Sequence, residues 1–97
     1  MAEFTVTSSD LTNKASELER LNNQLKQKIE ALQTEESGLN SMWEGDAKEA
    51  FRTSFSQDKA KMELFYTEIG KYIVALRSIA AKYELAERTN VATASSK

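Results

Sequence analysis

Apolar residues return every seventh position through most of this chain, and no proline interrupts them. Leu11, Leu18, Leu25, Leu32 and Leu39 form one such series. Two turns of α-helix take about 7.2 residues, so this spacing keeps one helix face apolar. A strand would instead need alternation in twos. Ala15, Leu21, Ile29 and Met42 widen the stripe on the same side. The second half carries more. Phe55, Met62, Ile69, Leu76 and Tyr83 make one series. Phe51, Phe65, Tyr72 and Ile79 make an interleaved one, broken only by Asp58, and Tyr66, Ile73 and Ala80 add a third row. Lys14, Lys28 and Glu35 stand where a strict zipper would be apolar. Lys28 and Asp58, on or near the seam, are candidates to set register by pairing across a bundle.

The periodicity stops once, at Asn40-Ser41-Met42-Trp43-Glu44-Gly45. Gly38 weakens the turn before it, and Gly45 can adopt the left-handed conformation that closes a turn. Asp46 with Glu49 three residues on resembles the capping box of a second helix. Thr7 with Asp10 predicts the start of the first helix near Ser8, the carboxylate lying at the positive helix end. Glu84 and Arg88 form a favourably ordered i,i+4 pair. After Arg88 the sequence TNVATASSK turns small and polar and predicts a disordered tail. The expected layout is one all-α domain over residues 1–97: a helix over about 8–40, a turn over about 41–45, a helix over about 46–88 and a tail over about 89–97. A short connection makes the two helices antiparallel. The apolar arc of the second helix is too wide for one neighbour to cover. Two hairpins pairing into a four-helix bundle relieve this, with Leu18, Leu25, Leu32, Phe51, Phe55, Met62, Phe65, Ile69, Tyr72 and Leu76 as the expected dimer and bundle seam.

Composition narrows the chemistry. A chain of 97 residues buries a thin core, which favours help from a partner. It has no cysteine and no histidine, so the thiolate ligands and the commonest neutral-pH acid–base group are missing. No base accompanies a nucleophile and no glycine-rich phosphate loop occurs, so no enzymatic activity, metal or cofactor is expected. Glu35 and Glu36 adjoin on a helix, where neighbouring side chains diverge. The net charge of −2, with acids and bases interspersed, argues against nucleic acid as a partner. A basic leucine zipper is excluded because residues 1–10 hold no Lys or Arg. The start, MAEFTVTSSDL, lacks the charged and apolar regions of a cleaved signal peptide, so a cytosolic location is the default and export would need another route. No apolar run is long enough to span a bilayer.

Trp43 is the sole tryptophan and precedes Gly45, one of three glycines, by two residues. A tryptophan there can plug the end of the hairpin or be displayed for recognition. Gly45 and Asp46 suffice to explain the turn, which leaves Trp43 over for contact. With this motif the chain resembles the WXG, or ESAT-like, proteins: helical hairpins of roughly a hundred residues exported by the bacterial type VII (ESX) secretion system. The resemblance spans the whole chain and rests on its length and on WEGDAKEAF, with Ala47 and Phe51 as the small residue and aromatic that often follow the glycine. The family's second element, Tyr-x-x-x-Asp/Glu, is matched by Tyr83 and Glu87, whereas Tyr66 and Tyr72 are followed at the fourth place by Gly70 and Leu76. Residues four apart share a helix face, so phenol and carboxylate can be recognised together.

The resemblance implies a turn and recognition motif at Trp43 and Gly45, an export signal at Tyr83 and Glu87, and one bipartite signal assembled across a dimer. It implies a protein made in the bacterial cytoplasm and secreted without a cleavable signal peptide, recognised by the secretion ATPase as a folded homodimer or as a heterodimer with a sibling. It further implies action outside the cell as a virulence-associated effector or a secretion cofactor. The alternative is a cytosolic hairpin adaptor, or chaperone-like partner, of another helical protein, since the bundle seam alone would explain every heptad residue. Membrane action ranks lower: acids flank the stripe as often as bases, and membrane-surface helices favour Lys and Arg.

Overall fold

The computed structural model describes residues 6–95, with side chains through residue 91. Two helices make up the fold: α1, Ser8–Asn40, and α2, Asp46–Ser95. Each end has a local cause. Thr7 and Asp10 cap α1 reciprocally: the Thr7 hydroxyl accepts the Asp10 N–H at 3.1 Å, and the Asp10 carboxylate accepts the Thr7 N–H at 3.1 Å. At the other end, the Ser41 hydroxyl donates to the Gly38 carbonyl at 2.7 Å and the Met42 N–H to the Leu39 carbonyl at 3.0 Å. Both occupy carbonyls that a helix end leaves free. Gly45 sits at φ +99°, a conformation that L side chains rarely adopt.

Two expectations change here. α2 starts at Asp46 as expected, but Gly45, not Asp46, is its N-cap: the Gly45 carbonyl accepts the N–H groups of Lys48 at 3.1 Å and Glu49 at 3.3 Å. Asp46 and Glu49 fall inside the first turn, where their charge still favours the helix dipole. The disordered tail from residue 89 is also overturned, since α2 continues to Ser95. Thr89-Asn90-Val91-Ala92-Thr93-Ala94-Ser95 holds no Gly or Pro to stop a helix. The Thr89 hydroxyl bonds back to the Leu85 carbonyl at 3.0 Å, and Arg88 pairs with Glu84. Residues 96 and 97 of the expected tail lie outside the described residues.

The chain divides into two compact units. In the turn unit, residues 21–69, Asn22 donates to the Tyr66 carbonyl at 3.1 Å and Arg52 pairs with Glu36 at 4.0 Å. Fourteen residues separate the two contacts along each helix, in opposite directions, which is the antiparallel hairpin. Ile29, Asn22 and Glu36 are buried here, flanked by half-buried Leu25, Gln33, Phe51, Phe55, Met62 and Ile69. In the end unit, formed by the chain up to Arg20 and from Gly70, Ala15, Ile73 and Ala80 are buried, with Leu11, Leu18 and Leu76 half-buried. Ion pairing of Arg77 with Glu19 at 3.1 Å crosses that seam. Among the described residues no large side chain is fully buried, so the core is thin.

The buried row of α1 leaves the leucine heptad after Leu25. It steps through Ile29, Gln33, Glu36 and Asn40, while Leu32 and Leu39 are exposed. A straight helix drifts about 20° per heptad against a strict seven-residue repeat. Two successive four-residue steps, Leu25 to Ile29 to Gln33, absorb the drift; Phe51 to Phe55 to Lys59 do the same on α2.

Both glycines bear on a test. A Cβ at Gly45 or at Gly38 would meet nothing within 4 Å, but only Gly45 has positive φ. Gly45→Ala is therefore expected to destabilise by about 1–2 kcal/mol through backbone strain alone, and Gly38→Ala to stabilise by about 0.5–1 kcal/mol. Urea melts of the two variants check the opposite signs. Asn22 offers a second test. Its Oδ1 is buried without a hydrogen-bond partner while its Nδ2 is satisfied. Asn22→Leu removes the orphan and is expected to stabilise by about 1–2 kcal/mol; a lowered melting temperature would show that the bond to Tyr66 outweighs it.

Candidate functional site

The motif residues fall in both units. In the turn unit, the Trp43 ring lies 5.5 Å from Phe51 at an interplanar angle of 47°, and Phe51 stacks on Phe55 at 6.3 Å. These tilted and offset geometries suit aromatic quadrupoles. Trp43 thus closes the apolar row at the hairpin tip, yet 37% of it stays exposed beside Met42 at 83%. The ring both packs and presents a face. Beneath it, Glu36 is buried between the helices and accepts from Asn40 at 2.6 Å and Gln33 at 3.2 Å, with Arg52 across the seam. This polar group was not expected from the heptad, because the drift after Leu25 had not been allowed for.

In the end unit, Tyr83 is largely exposed. Glu87 is half-buried, and its Oε1 accepts the backbone N–H of Ser8 at 3.1 Å. Nothing in the sequence near Glu87 signals this bond, whose partners are 79 residues apart. Only the antiparallel topology brings them together.

The expected seam residues separate into two sets. Leu18, Leu25, Phe51, Phe55, Met62, Ile69 and Leu76 are half-buried within the hairpin, whereas Leu32, Phe65 and Tyr72 are exposed. The exposed set follows a rule. In the turn unit, Leu32 and Leu39 stand three places after buried Ile29 and Glu36, and Phe65 three after Met62. In the end unit, Tyr72, Ile79 and Tyr83 stand three after Ile69, Leu76 and Ala80. Three residues turn a helix by 300°, about 60° backwards. In an antiparallel pair, the same sense of rotation from the seam brings both flanks to one side. Each unit therefore carries an apolar flank on one side of its seam, while Leu64, Val74 and Leu85 are exposed away from that flank. The other flank of the turn unit, one residue after the buried positions, is polar. There a cleft of about 380 Å³ is lined by Lys26, Glu30, Gln33, Lys59, Glu63 and Tyr66, with the Lys26 ammonium 5.9 Å from the Tyr66 ring centre. Lys28 and Asp58 are exposed and take no place among the buried residues of the hairpin itself.

Among the described residues no helix is long and apolar enough to cross a membrane, and no three His, Cys, Asp or Glu side chains are grouped to hold a metal. What the arrangement offers is surface: an apolar flank, an aromatic tip, and a Tyr–Glu pair beside a helix start.

Fold and motif together define a small all-α hairpin with a Trp-Glu-Gly turn. The chain belongs to the WXG100 family, proteins of 100 residues with WXG, whose model matches residues 3–88. Its fold is similar to crystal structures of EsxB, a secreted protein of Bacillus anthracis strain Sterne. One superposes with a TM-score of 0.79 at 24% identity, covering 90% of this chain and 99% of that one. A wild-type crystal form gives 0.78 at 25% identity, covering 87% and 97%. No curated protein matches the sequence.

The cap that starts the end unit is pH-sensitive. The Thr7 backbone N–H first, and its hydroxyl second, hold the Asp10 carboxyl below its ordinary value of 3.8. A depressed folded value means the cap contributes fully above 3.8 and is lost as pH falls through the lower folded value. Amide exchange in the first turn of α1 is expected to quicken on acidification below that value, and Asp10→Asn to remove this dependence on pH.

Proposed function

We propose that this protein is a non-enzymatic secreted helical protein, a substrate of a type VII secretion system, exported as a folded dimer. The observation that supports the dimer is the apolar flank of each unit. Leu32, Leu39 and Phe65 in one unit, and Tyr72, Ile79 and Tyr83 in the other, are large apolar residues left exposed beside the seam. A second copy packed flank to flank makes a four-helix bundle. Homodimerisation is the simplest form, since an isologous contact pairs a self-complementary face; a sibling WXG protein is the heterodimeric form.

Membership in the WXG100 family and the likeness to a secreted protein support export. In this reading Trp43 and Gly45 form the recognition turn, and Tyr83 with Glu87 the export element. When two hairpins pair antiparallel, the turn of one copy lies by the helix ends of the other, so Trp43 and the partner's copy of the Tyr-x-x-x-Glu element form one signal. The secretion ATPase is the partner that would read it. Outside the cell the protein is an effector or a component the machine needs to run.

Two measurements test the reading. Sedimentation equilibrium of the purified chain is expected to give a dimer, and Tyr72→Glu, a charge in the middle of the flank, to give monomers. In a host with an intact type VII system, Trp43→Ala and Tyr83→Ala are expected to remain folded by circular dichroism and to lose most release into the medium. Release of both at wild-type levels would overturn the assigned roles.

A further inference from the structure

The first turn of α1 has more donors than its own cap can satisfy. A helix start leaves four N–H groups without an intrahelical acceptor. Thr7 and Asp10 satisfy each other. The Ser8 N–H is instead taken by the Glu87 carboxylate arriving from α2. A carboxylate accepting from the positive end of a helix makes a charge-assisted bond. The neighbouring acid is not available for this task, since Glu84 is paired with Arg88. Farther along the same seam, Arg77 and Glu19 tie the helices once more. Glu87 is thus the last described clasp between the helices at this end, and one of its two oxygens faces inward.

We propose that Glu87 serves the Tyr83–Glu87 element as a positioning residue: it clasps the first turn of α1 to α2, so that the surface presented at this end is built from both helices, with the first turn of α1 beside Glu87 and Tyr83 one turn back along α2. This rests on Tyr83 and Glu87 being the export element. A recognition acid read directly from outside needs its carboxylate free. Here one carboxylate oxygen, Oε1, is engaged by the Ser8 N–H, and what it fixes is the placement of a helix end. The exposed contributors are then Tyr83 on α2 and the capping residues of α1, a segment about 75 residues away in sequence.

A substitution separates the two roles of Glu87. Ser8 is the first residue of α1, where proline is well tolerated because its fixed φ suits the position and its missing N–H has no helical acceptor. The residue before it, Thr7, is a cap and so already avoids the helical conformation that proline disfavours. Ser8→Pro therefore removes the donor to Glu87 while keeping the helix, the Thr7–Asp10 cap and the carboxylate itself. Amide exchange of Ser9 to Leu11 in the purified full chain, near neutral pH, is expected to quicken on the order of tenfold in both Ser8→Pro and Glu87→Ala. Glu87→Gln, whose amide oxygen still accepts, is expected to show a smaller change. Release into the medium should fall in the same order. Unchanged exchange in Ser8→Pro would overturn the clasp. Loosened exchange with wild-type release in Ser8→Pro, but lost release in Glu87→Gln, would overturn the positioning role and leave direct recognition of the carboxylate and the export reading standing. If the wild-type chain itself is not released, the export reading fails, and the exchange measurement alone decides whether Glu87 holds the first turn.

Discussion

The width of the apolar arc on α2 governs the rest of the structure. One row, through Met62, Tyr66, Ile73 and Ala80, faces α1. A second row, through Phe65, Tyr72, Ile79 and Tyr83, lies one-sixth of a turn away and cannot be covered by the same neighbour. A single helix offers a stripe of limited width, so a hairpin satisfies one row and leaves the other. Everything that makes the isolated chain thin-cored follows: small Ala15 and Ala80 at the seam, no fully buried large side chain among the described residues, and aromatic rings left in water. The same residues become ordinary core once a second hairpin is present.

Polar groups inside the seam fit that arrangement. Asn22, Glu36 and Asn40 lie on the buried side of α1, and buried Asn22 and Asn40 oxygens lack partners. Each weakens the hairpin relative to an apolar residue. Glu36 also penalises sliding of α1 along α2, because it pairs with the Arg52 side chain, which a shift of register would carry away. Heptad seams are degenerate by seven residues, and polar positions break that degeneracy. In the proposed dimer, apolar area on the flank would supply association, and polar points in the seam the alignment of the two helices within each unit.

Local signals made the helix ends legible, and long-range geometry hid the rest. Thr7 and Asp10 marked the start of α1 because a cap is a contact between near neighbours in sequence. Gly45 marked the turn because its positive φ is a property of one residue. The start of α2 at Asp46 was legible, but its cap was placed one position late, since Asp46 next to Gly45 satisfies the same pattern. The end of α2 was misjudged because small polar residues lower helix propensity without breaking a helix. The buried row of α1 parted from the leucine series at Leu32, because the drift of about 20° per heptad is invisible to a count of sevens. The bond from Ser8 to Glu87 had no sequence signal at all: each partner is common, and only folding makes them neighbours.

Residues singled out as signals turn out to hold the structure as well. Trp43 rests on Phe51, and Glu87 rests on Ser8. A recognition residue on a free loop would lose conformational entropy on being read, of order 1 kcal/mol or more per side chain. A residue already fixed by the fold does not. The coupling has a second consequence: a chain whose hairpin is misformed displaces both motifs at once. A machine that reads Trp43 and the Tyr83–Glu87 element therefore tests folding in the act of recognition, with no separate sensor for the folded state.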